Sequence, residues 1–221
     1  MNKQFVAIVI VVILGLFGVF YFTKDSAEAP ANGANNSSSS SSEGSNNTIG
    51  DNTKKVVLLE YGDFQCPACG AYHPIVKQVI EKYNKDILFQ FKNFPLQQIH
   101  PNARAAARAA EAAGKQDKYW EMHDLLYEQQ QTWEQSTAVN SIFESYAKQL
   151  NLDVAKFKTD FASETVNDVI NADFSAGTKA GVNSTPTFFL QGKKLEEPPQ
   201  DLEGFSKIID QAIKEANTSN N

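Results

Sequence analysis

Cysteine is scarce in this chain, with two in 221 residues. That excludes a disulfide-stapled framework and a four-cysteine metal site, so the meaning of the pair depends on where it sits. Histidine is almost as rare, at three. A basic surplus is also missing: 20 Lys and Arg stand against 26 Asp and Glu, a formal net charge of −6. Phosphate neutralisation needs the opposite balance, so nucleic acid is not an expected partner. Apolar residues make up 42% of the chain, enough for a core and incompatible with wholesale disorder.

One long hydrophobic run stands at the start. Phe5 to Phe22 is nearly unbroken and spans roughly 27 Å as a helix, enough to cross a bilayer. Lys3 and the amino terminus precede it, which keeps the N-terminus cytoplasmic and sends the rest outward. Residues 1–25 are therefore expected to be a single-pass anchor in the cell membrane. The alternative is a cleaved signal peptide, for which Ala27-Glu28-Ala29 offers a small-x-small site. Against it, Pro30 follows directly and the run is longer than a signal core needs. Residues 26–54 are dominated by serine and asparagine, with Ile49 the only large apolar side chain. Such a tract does not offset its ordering entropy and is expected to be a disordered linker spanning roughly 30 Å.

Residues 55–221 carry the folded domain. Val56 to Leu59 reads as a strand buried on both faces, as does Ile87 to Phe91, and Pro67 to Asn84 between them carries a helical stripe of Ile75, Val76, Val79 and Ile80. This is a β-α-β unit with an expected parallel pair. Helices follow: alanine-rich Ala103 to Ala113, with Gly114 as its cap, then Tyr119 to Gln130, Val139 to Leu150, and Ala162 to Ala180 with Val166, Val169, Ile170 and Phe174 on one side. Thr187 to Leu190 and Lys193 to Leu195 form a hairpin about Gln191-Gly192, and a last helix carries Phe205, Ile208, Ile209, Ala212 and Ile213. The class is α/β, with a helical block at about 98–181 inserted between a β-α-β half and a β-β-α half.

The two cysteines fall together as Cys66-Pro67-Ala68-Cys69, where the first helix opens. Proline suits the first helical position, which makes Cys66 the N-cap. Its sulfur then faces unpaired N–H groups and the positive end of the helix dipole, which favours thiolate. Cys69 lies one turn on, within reach of a disulfide. One exposed acidic thiol beside one sheltered thiol is equipment for thiol–disulfide exchange. Two other readings of the pair stay open. A zinc half-site would need two further ligands, and His73, His100 and His123 fit no common zinc spacing. A purely structural disulfide closes too short a loop to stabilise much.

Leu59 to Cys69, Phe91-Lys92-Asn93-Phe94-Pro95-Leu96, Ala112 through Leu126 and Ser184-Thr185-Pro186-Thr187-Phe188 together resemble the DsbA-like thioredoxin-fold oxidoreductases, over roughly residues 48–216. The resemblance implies a thioredoxin fold with the helical insertion, and a membrane-anchored member of the family. It implies that Pro186 is cis beside the cysteines and that Thr185 offers backbone to a client peptide, with Pro67 and Ala68 also meeting the client. Read from sequence alone, Pro186 would be an ordinary trans proline at an edge strand. Glu60 is implied as the group relaying the proton of Cys69; a strand-end glutamate reaching solvent is the other reading. His73 reads as a helix-surface residue, and His100 and His123 as structural or exposed.

By the same resemblance, exported proteins with free thiols are the clients, and a quinone-linked membrane reoxidase of the DsbB or vitamin-K-epoxide-reductase-like type restores the disulfide. No metal or organic cofactor is expected, since the disulfide itself carries the electrons. A monomer is expected, and the 26–54 tract does not supply the dimerisation module that an isomerase of this family usually needs. One departure concerns Ala68, where the best-known oxidases of the family carry a thiolate-stabilising histidine. A reductase or isomerase of the same fold, or a non-catalytic peptide-binding domain, are the alternatives.

Overall fold

The structure, a computed structural model, describes residues 44–219. The expected anchor over 1–25 and the linker as far as residue 43 lie outside the described residues. Among the described residues, no helix is long and apolar enough to cross a membrane.

The chain order is β1 (Asn47–Ile49), β2 (Val56–Gly62), α1 (Pro67–Tyr83), β3 (Ile87–Asn93), α2 (Ala103–Gly114), α3 (Tyr119–Glu128), α4 (Gln130–Trp133), α5 (Val139–Gln149), α6 (Val154–Ala162), α7 (Glu164–Lys179), β4 (Thr187–Leu190), β5 (Lys193–Lys194) and α8 (Leu202–Ser219). The sheet order is β1-β3-β2-β4-β5. Only β2 and β3 run parallel, as the β-α-β reading requires; β1, β4 and β5 join antiparallel. This is an α/β thioredoxin fold of the DsbA-like kind, with α2 to α7 inserted between β3 and β4.

Alternation along β2 sorts the two faces. Val56 and Leu58 are fully buried and face the main core with Val76, Val79, Phe89, Phe91, Phe188 and Phe205. Tyr61, Phe94, Val182 and Phe189 form a smaller cluster that Leu59 packs against. Val57 and Leu59 stay half-buried, so the strand is sealed on one face rather than on both as expected. The hairpin turns where the glycine predicts, with Gln191 at φ 52 and Gly192 at φ 75, the left-handed pair that two-residue loops favour.

Four expectations need correction. The linker does not extend to Lys54, because Asn47–Ile49 is an ordered edge strand on β3. Long-range ties hold it: Ser45 N and Oγ donate to Asp173 at 2.8 and 2.6 Å, and Trp120 Nε1 donates to Thr48 O at 3.1 Å. The helix expected over 162–180 is interrupted at Ser163, whose hydroxyl accepts from Val166 N at 3.2 Å and so caps α7. The preceding α6 was not expected; it buries only Phe157 and is capped by Asp153. Phe174 remains 38% exposed, stacked on Phe94 at the flank of α7. Finally, Gly114 lies inside α2, and the left-handed residue after it is Asp117 at φ 59.

Candidate active site

A turn built by one carboxylate delivers the chain from β2 to α1. Asp63 Oδ1 accepts Gln65 N at 2.8 Å; its Oδ2 accepts Leu96 N at 2.9 Å and meets His100 Nδ1 at 2.7 Å. Cys66 N donates to Asp63 O at 3.0 Å. In the sequence its signal is an acid in a tight turn just before a helix, a pattern too common to mark Asp63 by itself.

Cys66 is the N-cap of α1, with φ −70 and ψ 122, and Pro67 occupies the first helical position. Proline has no N–H, so the donors left to face the sulfur are those of Ala68 and Cys69. Both thiols are free. The Cys66 thiol is held down at about 5, first by a hydrogen bond from the Cys69 thiol, against the opposing effect of burial, then by the Thr185 side chain and the Cys69 and Ala68 backbone. Cys69 is pushed the other way by burial, and by donating to Cys66. Cys66 is less open than expected, at 7% exposed against 1% for Cys69, because the loop carrying Thr185 closes over it. Pro67 and Ala68 are exposed and form the lip of the site.

The Thr185–Pro186 peptide bond is cis. The Thr185 carbonyl oxygen lies 3.3 Å from Cys66 Sγ and accepts from it while Cys66 is a thiol. The Thr185 hydroxyl is buried and has no other partner, so its proton is free to turn to a charged sulfur. Thr185 is 8% exposed and Pro186 half-buried, which leaves an edge of backbone beside the cysteine pair.

Glu60 does not reach solvent. It is 4% exposed, in register between Phe91 of β3 and Phe188 of β4. Burial raises its carboxyl to about 8, and the Cys66 charge adds to the rise. At neutral pH it therefore holds a proton inside the protein, within electrostatic reach of both sulfurs.

His73 is not the helix-surface residue that its place before Pro74 suggested, and His123 takes the structural of its two expected places. They are 8% and 3% exposed, and both meet Asp124 Oδ1 at 3.1 Å. Lys77 Nζ reaches the other oxygen at 3.0 Å. Although burial works against it, these donors hold the Asp124 carboxyl well below the usual carboxylate range. His73, His123 and Asp124 are a group whose possible ligand atoms lie within 4.8 Å of one another, the spacing of a metal-binding set. Here the carboxylate takes one nitrogen of each imidazole directly and ties α3 to α1. His123 Nε2 is buried without a partner, whereas a metal-bound imidazole ordinarily has its second nitrogen hydrogen-bonded.

A family model described as thioredoxin matches residues 42–211. Among curated proteins, Na(+)/H(+) antiporter NhaA 3 of Salinispora tropica is 34% identical over 167 residues, covering 76% of this chain and 24% of that protein. The chain spans about a quarter of the length of the curated relatives it matches. Among solved structures, oxidised BdbD of Bacillus subtilis aligns with a TM-score of 0.67 at 24% identity, over 76% of this chain and 92% of that one. Alpha-DsbA1 of Wolbachia pipientis gives a TM-score of 0.67 at 21% identity, over 79% of this chain and 94% of that one. Both are likenesses of fold. The family model runs from ahead of β1 into α8, through every strand and every inserted helix, and on that extent the chain belongs to the thioredoxin family.

Proposed function

We propose that this protein is an extracytoplasmic thiol:disulfide oxidoreductase that introduces disulfides into exported proteins through Cys66 and Cys69. The observation that carries the reading is the opposed state of the two sulfurs: Cys66, at the helix N-cap, is held at about 5, while Cys69 is raised well above the ordinary thiol range. A thiol of low pKa is a good leaving group, and a stabilised reduced form makes the oxidised form a strong oxidant. The helix N-terminus and the Cys69 thiol here do the work of the histidine that Ala68 replaces.

In the oxidised enzyme a client thiolate attacks Cys66 Sγ. A client–Cys66 disulfide forms, the Cys66–Cys69 bond breaks, and Cys69 leaves as a thiolate that takes the Glu60 proton. The client's second thiolate then attacks the client sulfur in that bond, closing the client disulfide and releasing Cys66 as a thiolate. Two electrons have moved from the client dithiol to the enzyme. No bound metal or organic cofactor enters these steps. Reoxidation falls to a quinone-linked membrane partner of the DsbB or vitamin-K-epoxide-reductase-like type.

Extended backbone at Thr185 and Pro186 suits a client segment docking beside the sulfur, with Pro67 and Ala68 as the opposite lip. A groove of about 520 Å³ lined by Phe94, Leu96, Ile99, Phe174 and Val182 borders the chain leading into Thr185, and Ile99 is 70% exposed. Apolar surface of this kind fits unfolded clients. The apolar run Phe5 to Phe22 supports a membrane anchor, and relatives sharing this domain are named antiporters, which favours a membrane-side location. The protein acts as a monomer.

The test is oxidative refolding of reduced ribonuclease with the oxidised protein, alongside the Cys66–Cys69 equilibrium in glutathione buffers. The reading expects stoichiometric oxidation of the client, abolished in Cys66→Ser, and an equilibrium more oxidising than glutathione. Equal activity of wild type and Cys66→Ser ends the enzyme reading; an equilibrium more reducing than glutathione turns it into a reductase.

A further inference from the structure

We propose that Gln130 is the positioning residue for Cys66, and that position 70 is glycine in order to admit its side-chain amide. The inference rests on the disulfide-exchange reading and adds to it a residue from the helical insertion.

Gln130 opens α4 with a side chain that is 9% exposed. Both protons of its Nε2 are used on the catalytic loop: Phe64 O accepts one at 2.7 Å and Cys66 O the other at 3.0 Å. Cys66 O also accepts Gly70 N at 3.1 Å, so the Cys66 carbonyl is held by the helix on one side and by the insertion on the other. These two carbonyls flank the Gln65–Cys66 peptide. Fixing them sets the ψ of Cys66, and with it the direction in which the Ala68 and Cys69 N–H groups face the sulfur. A carbonyl turned toward the sulfur would oppose thiolate; Gln130 keeps both turned away.

Gly70 makes this contact possible. A Cβ there would lie 2.8 Å from Gln130 Oε1, 3.2 Å from its Cδ and 3.3 Å from its Nε2, so any larger residue displaces the amide as a whole. Glycine within the first turn of a helix lowers helix stability, and nothing in α1 itself calls for it. The loop's own amide ties it to the same insertion: Gln65 Nε2 donates to Glu134 O at 2.8 Å and its Oε1 accepts Asn102 N at 2.6 Å. A polar cleft of about 700 Å³ adjoins Gln130 and Gly70, so water can fill in behind a shortened side chain. The informative variant is therefore Gln130→Met, which keeps the volume and removes both donors.

The experiment titrates the Cys66 thiolate by its ultraviolet absorbance in wild type, Gln130→Met, Gly70→Ala and the neighbour control Gln131→Met, each shown to be folded by thermal unfolding. Alongside, the side-chain amide resonances of Gln130 are followed by NMR in oxidised and reduced wild type. In Gln130→Met the midpoint is expected to rise by about one pH unit and the glutathione equilibrium to become roughly tenfold less oxidising. Gly70→Ala moves both in the same direction, and Gln131→Met moves neither. The Gln130 amide resonances shift between redox states while those of Gln131 do not. A folded Gln130→Met or Gly70→Ala that titrates like wild type overturns the inference. Should neither variant fold, Gln130 resonances indifferent to redox state overturn it. Failure of wild type to oxidise clients would refute the proposed function instead, and leaves the titration readable.

Discussion

Cys66 Sγ lies 3.3 Å from the carbonyl oxygen of Thr185, a residue 119 positions later in the chain. Cys66 and the backbone edge beside it are therefore brought together by the fold, while Cys69 sits one turn deeper at 1% exposure. A Cys69→Ser variant is expected to accumulate a mixed disulfide at Cys66 when given a peptide carrying a disulfide, the other half of which leaves as a thiol, and Cys66→Ser to accumulate none at Cys69. Mass spectrometry of the adducts checks this; label on Cys69 in the Cys66→Ser protein would reverse the assignment of the two sulfurs.

The stability of the reduced protein should depend on pH through Cys66. Its folded value of about 5 lies below the ordinary 9.0. Below 5 both folded and unfolded states carry the thiol, and the sulfur contributes nothing. Between 5 and 9 only the folded state carries thiolate, so the contribution grows with pH, is full above 9, and is lost as pH falls through 5. Urea unfolding of reduced wild type against Cys66→Ala should show a gap at neutral pH that closes below 5. A constant gap contradicts the ionisation.

Glu60 should act with the opposite sign. Burial raises its carboxyl from 4.5 to about 8, so the cost of keeping it from ionising is absent below 4.5 and grows as pH rises toward 8. Glu60→Gln is expected to stabilise the protein by roughly 2–3 kcal/mol at neutral pH, while slowing exchange on the order of 10²-fold through loss of the proton. Chemical unfolding and stopped-flow exchange read the two effects. A variant that is both less stable and equally fast would remove Glu60 from the proton path.

Asp173 should prove the anchor of the N-terminal strand. Fully buried, it accepts Ser45 N and Oγ, Asn93 N at 3.0 Å and Lys92 Nζ at 2.9 Å. Asp173→Ala takes the counter-charge from that ammonium, leaving it the Ser45 carbonyl alone, and is expected to cost about 3 kcal/mol. Hydrogen exchange at Asn47–Ile49 should accelerate more than elsewhere in the sheet; uniform acceleration would mean that the carboxylate supports the whole core rather than this edge.

What was legible in the sequence was local. Pro67 after Cys66 announced a helix entry, Gly192 announced a hairpin, and the stripe on α8 announced its buried face, because each is written within a few residues. What escaped notice depends on partners far away. Asn47–Ile49 looks like linker until Asp173 supplies its donors' acceptor, 128 residues from Ser45. His73 looks exposed until α3 brings Asp124 over it. Gln130 sits in a run of three glutamines with nothing to mark it, and only the carbonyls of Phe64 and Cys66 distinguish it from its neighbours. Helix α6 has one buried aromatic, too weak a period to read.

The short strand at Asn47–Ile49 also has a protective effect. By covering the outer side of β3 it denies that row of peptide groups to any passing extended chain, including the unfolded polypeptides that the active site is proposed to meet. Trimming the protein to Lys55, where the sequence suggests the domain starts, would bare that row and invite strand-to-strand aggregation.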